Sequence, residues 1–443
     1  MSTPPPTATM DEELPPLPMP LTPDEEESAL LLLIHRNLLM AAAVDTLLPL
    51  KKSARKRRVW TWPYLQRRTQ FGHYDTLMEE LYSENPDLYK NFTRMDRDTF
   101  NSIVEAVSPL ITKQHTKCRK PIDPGARVAI TLRFLATGNS YKSLQYSFRV
   151  ANNTISGIVP ETCNAIITTL GHEYLRLPET PEQWQQVAKE YYDRWNCPNC
   201  IGALDGKHVR ITNPKLAGSH YHNYKRFYSM VLMGIVDANY KFLYIDVGAV
   251  GSESDGGVWA KTQLSSLLDK EGAKLPPPTT LPNTPDTSTP IGFFLVGDDA
   301  FPLQPYLMKP YPNRALTKEE RIYNYRLSRA RRTVENAFGI LANRFRMLLT
   351  SICLKADTVE SVIITACVLH NMLRNGALEG DVEDPTTHEF DGGAWRYDPP
   401  LGQPLQQRRG GNNPTTTAKA YRNQLRDYFN SAEGAVSWQN DKI

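Results

Sequence analysis

The chain has 443 residues, a formal net charge of +3 and 22% charged residues, which is enough for two or three domains with a substantial core. No window approaches the roughly 20 uncharged apolar residues that span a bilayer, which argues against a membrane protein. The six cysteines are too few for a disulfide framework and fit a reducing compartment.

Charge is strongly segregated in the first 70 residues. Residues 1–50 hold eight acidic side chains and one basic side chain, whereas residues 51–70 hold eight basic side chains and no acidic one. We expect residues 1–58 to contain a disordered, acidic, proline-rich segment, an apolar helix at 24–50 and a basic run at 51–58. The basic run, with six cations in eight residues, favours nuclear import or DNA contact over a merely solvated charge run.

Residues 59–180 are predicted to form an all-helical domain with a helix-turn-helix at 121–170. Apolar spacing predicts a helix over Pro124–Thr137, a short helix after Ser140, and a third helix that Thr154 caps beyond a tight turn. A plain helical bundle is the alternative. The second helix of a helix-turn-helix offers its N-terminal residues to base edges. The candidate DNA-binding residues at this point are Arg149, Asn152 and Asn153.

From residue 185 the pattern changes to strands that alternate with helices, which predicts an α/β domain over residues 185–376. Two β-rich runs, at 227–236 and 241–250, are separated by a turn and predict a hairpin. The Pro- and Thr-rich residues 275–290 interrupt the alternation and are interpreted as an insertion. Residues 377–443 are expected to form a polar, acidic tail with a weak terminal helix. The remaining predicted elements are helices at 256–268, 317–349 and 358–375 and a strand at 291–296.

Three carboxylates stand out by position. Asp205 follows an apolar strand, Asp298 follows a second one, and Glu335 lies in a basic helix. An acid at the end of a hydrophobic strand costs free energy unless it is paired or binds a metal ion. If the two strands are parallel neighbours, the two aspartates lie side by side and the helix can bring Glu335 to them. Carboxylates that share Mg²⁺ or Mn²⁺ ions are suited to phosphoryl displacement.

The surroundings of Glu335 carry an excess of positive charge. Residues 305–350 contain ten cations and three acids. Arg331 and Arg332 lie four and three residues before Glu335, on its side of the helix, and are further candidate DNA-binding residues. A basic face beside a metal site suits a polyanionic substrate, although a solvated helix face is the alternative.

Two other groups are interpreted as structural. The single pair Cys197 and Cys200 lacks the second pair of ligands that a structural zinc ion needs, and we expect it to pack in the core. His370 lies in an apolar helix and is expected to be a hydrogen-bonded core histidine.

Five blocks in order resemble the PIF/Harbinger-type transposases, a family that includes the Harbinger transposase-derived nucleases of animals. The resemblance implies an RNase H-like catalytic domain with an Asp-Asp-Glu metal site, behind the helical domain. It assigns Asp205, Asp298 rather than Asp299, and Glu335 as catalytic residues and metal ligands. It also suggests Asp255 as a further ligand, for which capping the next helix is the alternative role. The blocks are IGALDGKHVRI (201–211), GSESDGGVW (251–259), FFLVGDDAFPL (293–303), RARRTVENAFGILANRFR (329–346) and ACVLHNMLRN (366–375).

The function that follows is a DNA nuclease or transposase that depends on Mg²⁺ or Mn²⁺. It would cleave phosphodiester bonds and transfer strands at transposon ends. The expected location is the nucleus, with the cytoplasm as a second site. The expected partners are DNA and a Myb/SANT-like DNA-binding protein, with homo-oligomerisation left open and no membrane. A domesticated, non-cleaving DNA-binding or regulatory protein is the alternative from another class, and an RNA substrate also stays open.

Overall fold

The computed structural model describes residues 61–115, 120–270, 274–374 and 414–443. The predicted apolar helix at 24–50, the basic run at 51–58 and residues 377–413 of the predicted tail lie outside the described residues. The described residues from 63 onward form one compact unit. Among the described residues, no helix is both long enough and apolar enough to cross a membrane.

The described residues up to 195 form helices and their connections, whereas the helical domain was predicted over residues 59–180. Polar side chains cap the N-termini of three of these helices: Asp96, Asp123 and Ser140 each accept a backbone N–H from the first turn that follows. In these residues the helices are α1 (Pro63–Gln66), α2 (Arg68–Phe71), α3 (Leu77–Glu84), α4 (Pro86–Thr93), α5 (Arg97–Ile111), α6 (Pro124–Thr137), α7 (Tyr141–Phe148), α8 (Asn152–Tyr174) and α9 (Pro181–Trp195).

Helices α6, α7 and α8 occupy the three positions predicted for the helix-turn-helix. Gly138 ends α6 in the left-handed conformation, with φ 68°. The predicted cap of α8 was wrong, because Ala151 rather than Thr154 precedes its first turn. Helix α8 also runs through Pro160, although an interior proline costs about 3 kcal/mol. Burial of its apolar side against α5, α6 and a later helix outweighs that cost.

The second half of the chain is built on one mixed sheet. The strand order is β3-β2-β1-β4-β5, in which β1 to β3 are antiparallel and β1, β4 and β5 run parallel. The pair β2 and β3 confirms the predicted hairpin. A mixed sheet flanked by helices confirms the predicted fold class and is consistent with an RNase H-like fold. The strands are β1 (Cys200–Arg210), β2 (Ser229–Val236), β3 (Phe242–Val250), β4 (Phe294–Val296) and β5 (Leu307–Met308).

Helices cover both faces of this sheet. A smaller core lies under α10 and α11, and a larger core lies under α12 and α13. The larger core is continuous with that of the N-terminal helices, because α8 packs along α13. The bounds are α10 (Asp255–Lys261), α11 (Gln263–Asp269), α12 (Lys318–Arg344) with a 3₁₀ turn at Arg346–Leu349, and α13 (Ala356–Leu373).

The end of the predicted polar tail belongs to the fold. Helix α14 (Thr416–Asn430) packs on α12 and buries Leu425 and Phe429 completely. Arg326 of α12 is also buried, and it donates to the Gly434 carbonyl at 3.0 Å and to the side chain of Gln439 at 2.8 Å. These contacts fix the C-terminal residues 414–443 on the helix that carries Glu335.

Candidate active site

Asp205 and Asp298 occupy matching positions on neighbouring parallel strands. Ala203 of β1 is the register partner of Val296 of β4, and each aspartate lies two residues further along its chain. Because side chains alternate along a strand, both aspartates lie on the face of the sheet that α12 covers. Asp205 does not end its strand as predicted, since β1 continues to Arg210 beside β2.

The two aspartates share an electrostatically crowded site. Burial raises the pKa of Asp205 to about 8, with further contributions from the charges of Asp298 and Asp255. Burial also raises the pKa of Asp298, although its Oδ1 accepts the Ala300 N–H at 2.8 Å, which acts in the opposite direction. The repulsion between carboxylates at such a site decreases when one of them is protonated or when a cation binds.

Helix α12 brings Arg331 and Glu335 to the same site. Thr317 and Glu320 form a capping box that fixes the start of this helix. Arg331 Nη2 donates to Glu335 Oε1 at 2.6 Å, and the Glu335 side chain is 47% exposed. The positive charge of Arg331 lowers the pKa of both aspartates, which opposes the effect of burial. The side of α12 that carries Arg331 and Glu335 therefore faces the aspartates, and the Glu335 carboxylate is paired with Arg331 of the same helix.

Asp255 approaches β1 from the other direction. Ser254, not Asp255, caps α10, because its Oγ accepts the Gly257 N–H at 3.2 Å. Asp255 is only 1% exposed, and its Cγ lies 2.9 Å from the position that a Cβ on Gly206 would take. Strand alternation turns that position away from the face that Asp205 occupies. Asp255 is thus close enough for its charge to act on Asp205, but on the opposite side of β1.

The chemistry of these donors fits a hard divalent cation. Asp205, Asp298 and Glu335 offer only carboxylate oxygens, the donor type that Mg²⁺ and Mn²⁺ prefer. Within the ranges that the structure describes, no three His, Cys, Asp or Glu side chains form a ready-made metal site. Glu335 would have to leave Arg331 to complete the set.

The predicted DNA-binding residues fall into two places. Arg331 acts on the two aspartates from α12, and the partly buried Arg332 is the next residue of that helix. Asn152 and the exposed Asn153 form the first turn of α8. Arg149 forms hydrogen bonds within the protein: its guanidinium donates to the carbonyls of Tyr64 at 3.0 Å and Phe71 at 3.3 Å. DNA contact by these residues stays a prediction.

The residues interpreted as structural lie in the core. Cys197 and Cys200 are both buried. His370 is fully buried, and its Nε2 lies 2.8 Å from the Tyr240 carbonyl oxygen. Asp299 is 61% exposed in its side chain, and its Oδ1 lies 3.4 Å from Lys309 Nζ. The choice of Asp298 over Asp299 as the ligand stays a prediction.

Sequence reasoning missed two features of the site. One is Gly206, which leaves room for Asp255; a glycine directly after an acidic residue in a strand was the available signal. The other is the turn after β1, where Tyr224 and Lys225 lie close to these carboxylates. Its signal was an aromatic residue directly before two cations in the run HNYKRF at 222–227.

Much of the chain is similar in sequence to known proteins. Residues 204–371 match the family described as DDE superfamily endonuclease. The Arabidopsis thaliana protein named Antagonist of like heterochromatin protein 1 is 26% identical, over 82% of this chain and 94% of its own. The Arabidopsis thaliana protein named Protein ALP1-like is 24% identical, over 71% and 76%. The Mus musculus protein named "Putative nuclease HARBI1" is 23% identical, over 58% and 69%. No solved structure matches.

Proposed function

The chain is a member of the Harbinger-type DDE family, and on that premise we propose that it is a divalent-metal-dependent DNA nuclease. The catalytic residues in this proposal are Asp205, Asp298 and Glu335. The observation that carries it is the register of β1 and β4, which sets two half-buried aspartates side by side beneath a basic helix. Endonucleases of this superfamily generally use divalent metals.

Each residue has a distinct role in the proposed reaction. Asp205 and Asp298 would hold Mg²⁺ or Mn²⁺ from the sheet, and Glu335 would complete the set from α12 after leaving Arg331. A cation held there would supply Lewis-acid chemistry, which polarises a phosphodiester and lowers the pKa of water. The oxygen of water would bond to phosphorus as the bond to the 3′ oxygen breaks, and one water proton would end on that oxygen, which leaves a 3′-hydroxyl and a 5′-phosphate. Arg331 and Arg332 then bind phosphate oxygens.

Asp255 has a different place in this scheme. Its carboxylate lies behind β1, so we assign it an electrostatic contribution to Asp205 rather than a direct place beside Asp298. A movement of β1 or α10 would be needed to make it a fourth ligand.

The wider biology is also part of the proposal. As a transposase, the protein would use the freed 3′-hydroxyl to attack target DNA. The helices α6 to α8 would position DNA, and a Myb/SANT-like partner would supply sequence recognition. The basic run at 51–58 supports a nuclear location.

A non-cleaving regulatory protein is the second candidate. It is favoured by the name of the Arabidopsis thaliana relative Antagonist of like heterochromatin protein 1, whose match covers 94% of its length, and by the ion pair that engages Glu335 with Arg331. In this case the protein would bind DNA without cutting it.

A cleavage assay separates the two candidates. The full chain would be incubated with Mg²⁺ or Mn²⁺ and a plasmid library that includes the terminal repeats flanking its own gene, with and without nuclear extract. We expect metal-dependent cuts that disappear in Asp298→Asn and Glu335→Gln. Asp299→Asn is the matched control, because it removes the adjacent exposed acid, and it should cut like the wild type. Intact DNA binding without cleavage in any variant would support the regulatory protein.

A further inference from the structure

The connection between β1 and β2 folds into a fixed turn beside the candidate active site. The Arg226 N–H donates to the Asn223 carbonyl at 3.0 Å, and the Asn223 N–H donates to the Phe227 carbonyl at 2.9 Å. These bonds define a turn with Tyr224 and Lys225 at its tip. Asn223 itself is 2% exposed, and its Oδ1 accepts the Phe227 N–H at 3.1 Å.

A chain of side chains anchors this turn to the sheet. Asn223 Nδ2 donates to Ser229 Oγ at 2.9 Å, and Ser229 Oγ lies 2.9 Å from His208 Nδ1. His208 belongs to β1, three residues after Asp205. The turn is therefore held by the same strand that carries the first aspartate, and its shape is set before any ligand arrives.

The tip of the turn combines an exposed aromatic ring with positive charge. Tyr224 is 49% exposed, and Lys225 Nζ lies 5.5 Å from the centre of its ring. The Tyr224 ring lies 5.9 Å from that of His208, which supports it from beneath. Arg226 is also exposed. Aromatic rings combined with cations are the surface on which unpaired bases stack while their phosphates are neutralised.

The turn also lies close to the candidate catalytic carboxylates. The charges of Asp255 and Asp205 both act on Lys225, and that of Asp255 acts on Tyr224. Beyond Ala203 the β1–β4 ladder ends, and the next backbone pairing on that edge of β1 is the bridge between Ile211 and Ile352. A DNA strand that crosses β1 between these two pairings would pass from the aspartates on one face to the turn on the other.

We propose that the turn at 223–226 is a binding site for one unpaired nucleotide of a DNA strand, with Tyr224 stacking on the base and Lys225 contacting the adjacent phosphate. The inference rests on the proposed function, since it assigns this strand to the nuclease substrate. It adds that the substrate is frayed or single-stranded next to the cleaved bond.

Binding without cleavage tests this site on its own. The affinity of the full chain for a fluorescein-labelled 20-nucleotide DNA of mixed sequence, and for its duplex, would be measured by anisotropy in EDTA. Stacking of one base on one aromatic ring is worth roughly a five-fold change in affinity or more. We expect Tyr224→Ala to weaken single-strand binding by about that factor and duplex binding by less, while Tyr224→Phe retains both.

Two further variants sharpen the result. Tyr82→Ala is the matched control, because Tyr82 is 43% exposed with a guanidinium 4.0 Å from its ring centre, and it lies in α3; it should bind like the wild type. Lys225→Gln should reduce the magnitude of the salt slope for single-strand binding by about 0.7. Single-strand binding by Tyr224→Ala at wild-type strength, or equal losses in Tyr224→Ala and Tyr224→Phe, would overturn the site. These binding measurements are made in EDTA, without divalent metal, so their result does not depend on whether the protein cleaves DNA.

Discussion

The carboxylate of Asp255 lies against the backbone of Gly206, in the space that any larger residue would fill. Its Cγ is 2.9 Å from the position of a Cβ on that glycine, closer than side chains approach one another. The strand that carries Asp205 and the helix that carries Asp255 are therefore fitted together at one residue. A single methyl group at this point probes whether that fit supports the site.

Gly206→Ala should push Asp255 away from β1 and disturb the neighbouring aspartate. Overpacking of this kind costs about 1–3 kcal/mol of stability, and we expect metal-dependent cleavage to fall with it. Gly157→Ala is the control, because no atom outside the adjacent backbone of its own helix α8 lies within 4 Å of its Cβ position, and it should leave stability equal or slightly higher. Thermal unfolding and cleavage of both variants check this; wild-type activity in Gly206→Ala would contradict it.

Asp205→Asn should stabilise the metal-free protein and abolish the stabilisation that metal gives. Burial and neighbouring charges raise the pKa of Asp205 to about 8 from an ordinary value of 3.8, so ionising it opposes folding. Its contribution to stability is therefore greatest below pH 4 and decreases as the pH rises towards 8. Removing the charge should add roughly 1 kcal/mol or more near pH 8.

Denaturant unfolding at pH 5 and pH 8, with EDTA or with Mn²⁺, measures this effect. Asp299→Asn provides the comparison, since that acid is exposed. A metal-free Asp205→Asn protein that is less stable than the wild type at pH 8 would show that the aspartate is not under electrostatic strain.

Arg331→Gln should increase the affinity of the site for divalent metal. The guanidinium occupies Glu335 and its charge acts on Asp205 and Asp298, so it competes with a cation for the same carboxylates. We expect the apparent Kd for Mn²⁺ to fall several-fold, while DNA affinity decreases because a phosphate-binding cation is lost. Calorimetric titration with Mn²⁺ checks the first effect. An unchanged Kd would indicate that the ion pair does not compete with metal binding by these carboxylates.

Asn371→Ala should destabilise the fold without touching the site. Its side chain accepts the Phe242 N–H at 2.9 Å and donates to the Phe242 and Tyr174 carbonyls, both at 2.7 Å. It thereby ties α13 to the start of β3 and to the end of α8. Each buried group left without a partner costs about 1–3 kcal/mol. Denaturant unfolding of Asn371→Ala against the exposed-residue variant Asn164→Ala measures the loss; equal stability of the two would contradict this role.

Much of the fold follows from local patterns. The two β-rich runs that form β2 and β3 flank a short turn, and the resulting hairpin is where the pattern placed it. The neighbouring positions of Asp205 and Asp298 also followed from sequence, once the two strands were assumed to be parallel. These features depend on short-range periodicity and on the tendency of apolar strands to be buried together.

Other features depend on contacts that no local pattern contains. The face from which Asp255 reaches β1 is set by how α10 packs on β2. Helix α14 is polar along most of its length, but Leu425 and Phe429, four residues apart, are enough to dock it on α12. Arg331 and Glu335 are four residues apart, so their ion pair follows from helical spacing. Its position beside the aspartates, however, depends on how α12 packs on the sheet.

Direct counting of bound metal tests the central claim, that the aspartates of β1 and β4 hold a divalent cation. Mn²⁺ would be titrated into the full chain in the absence of DNA and followed by electron paramagnetic resonance. We predict saturable binding in the wild type and in Asp299→Asn, and loss of that binding in Asp205→Asn and Asp298→Asn. Equal Mn²⁺ binding by the wild type and Asp298→Asn would contradict the assignment of the site.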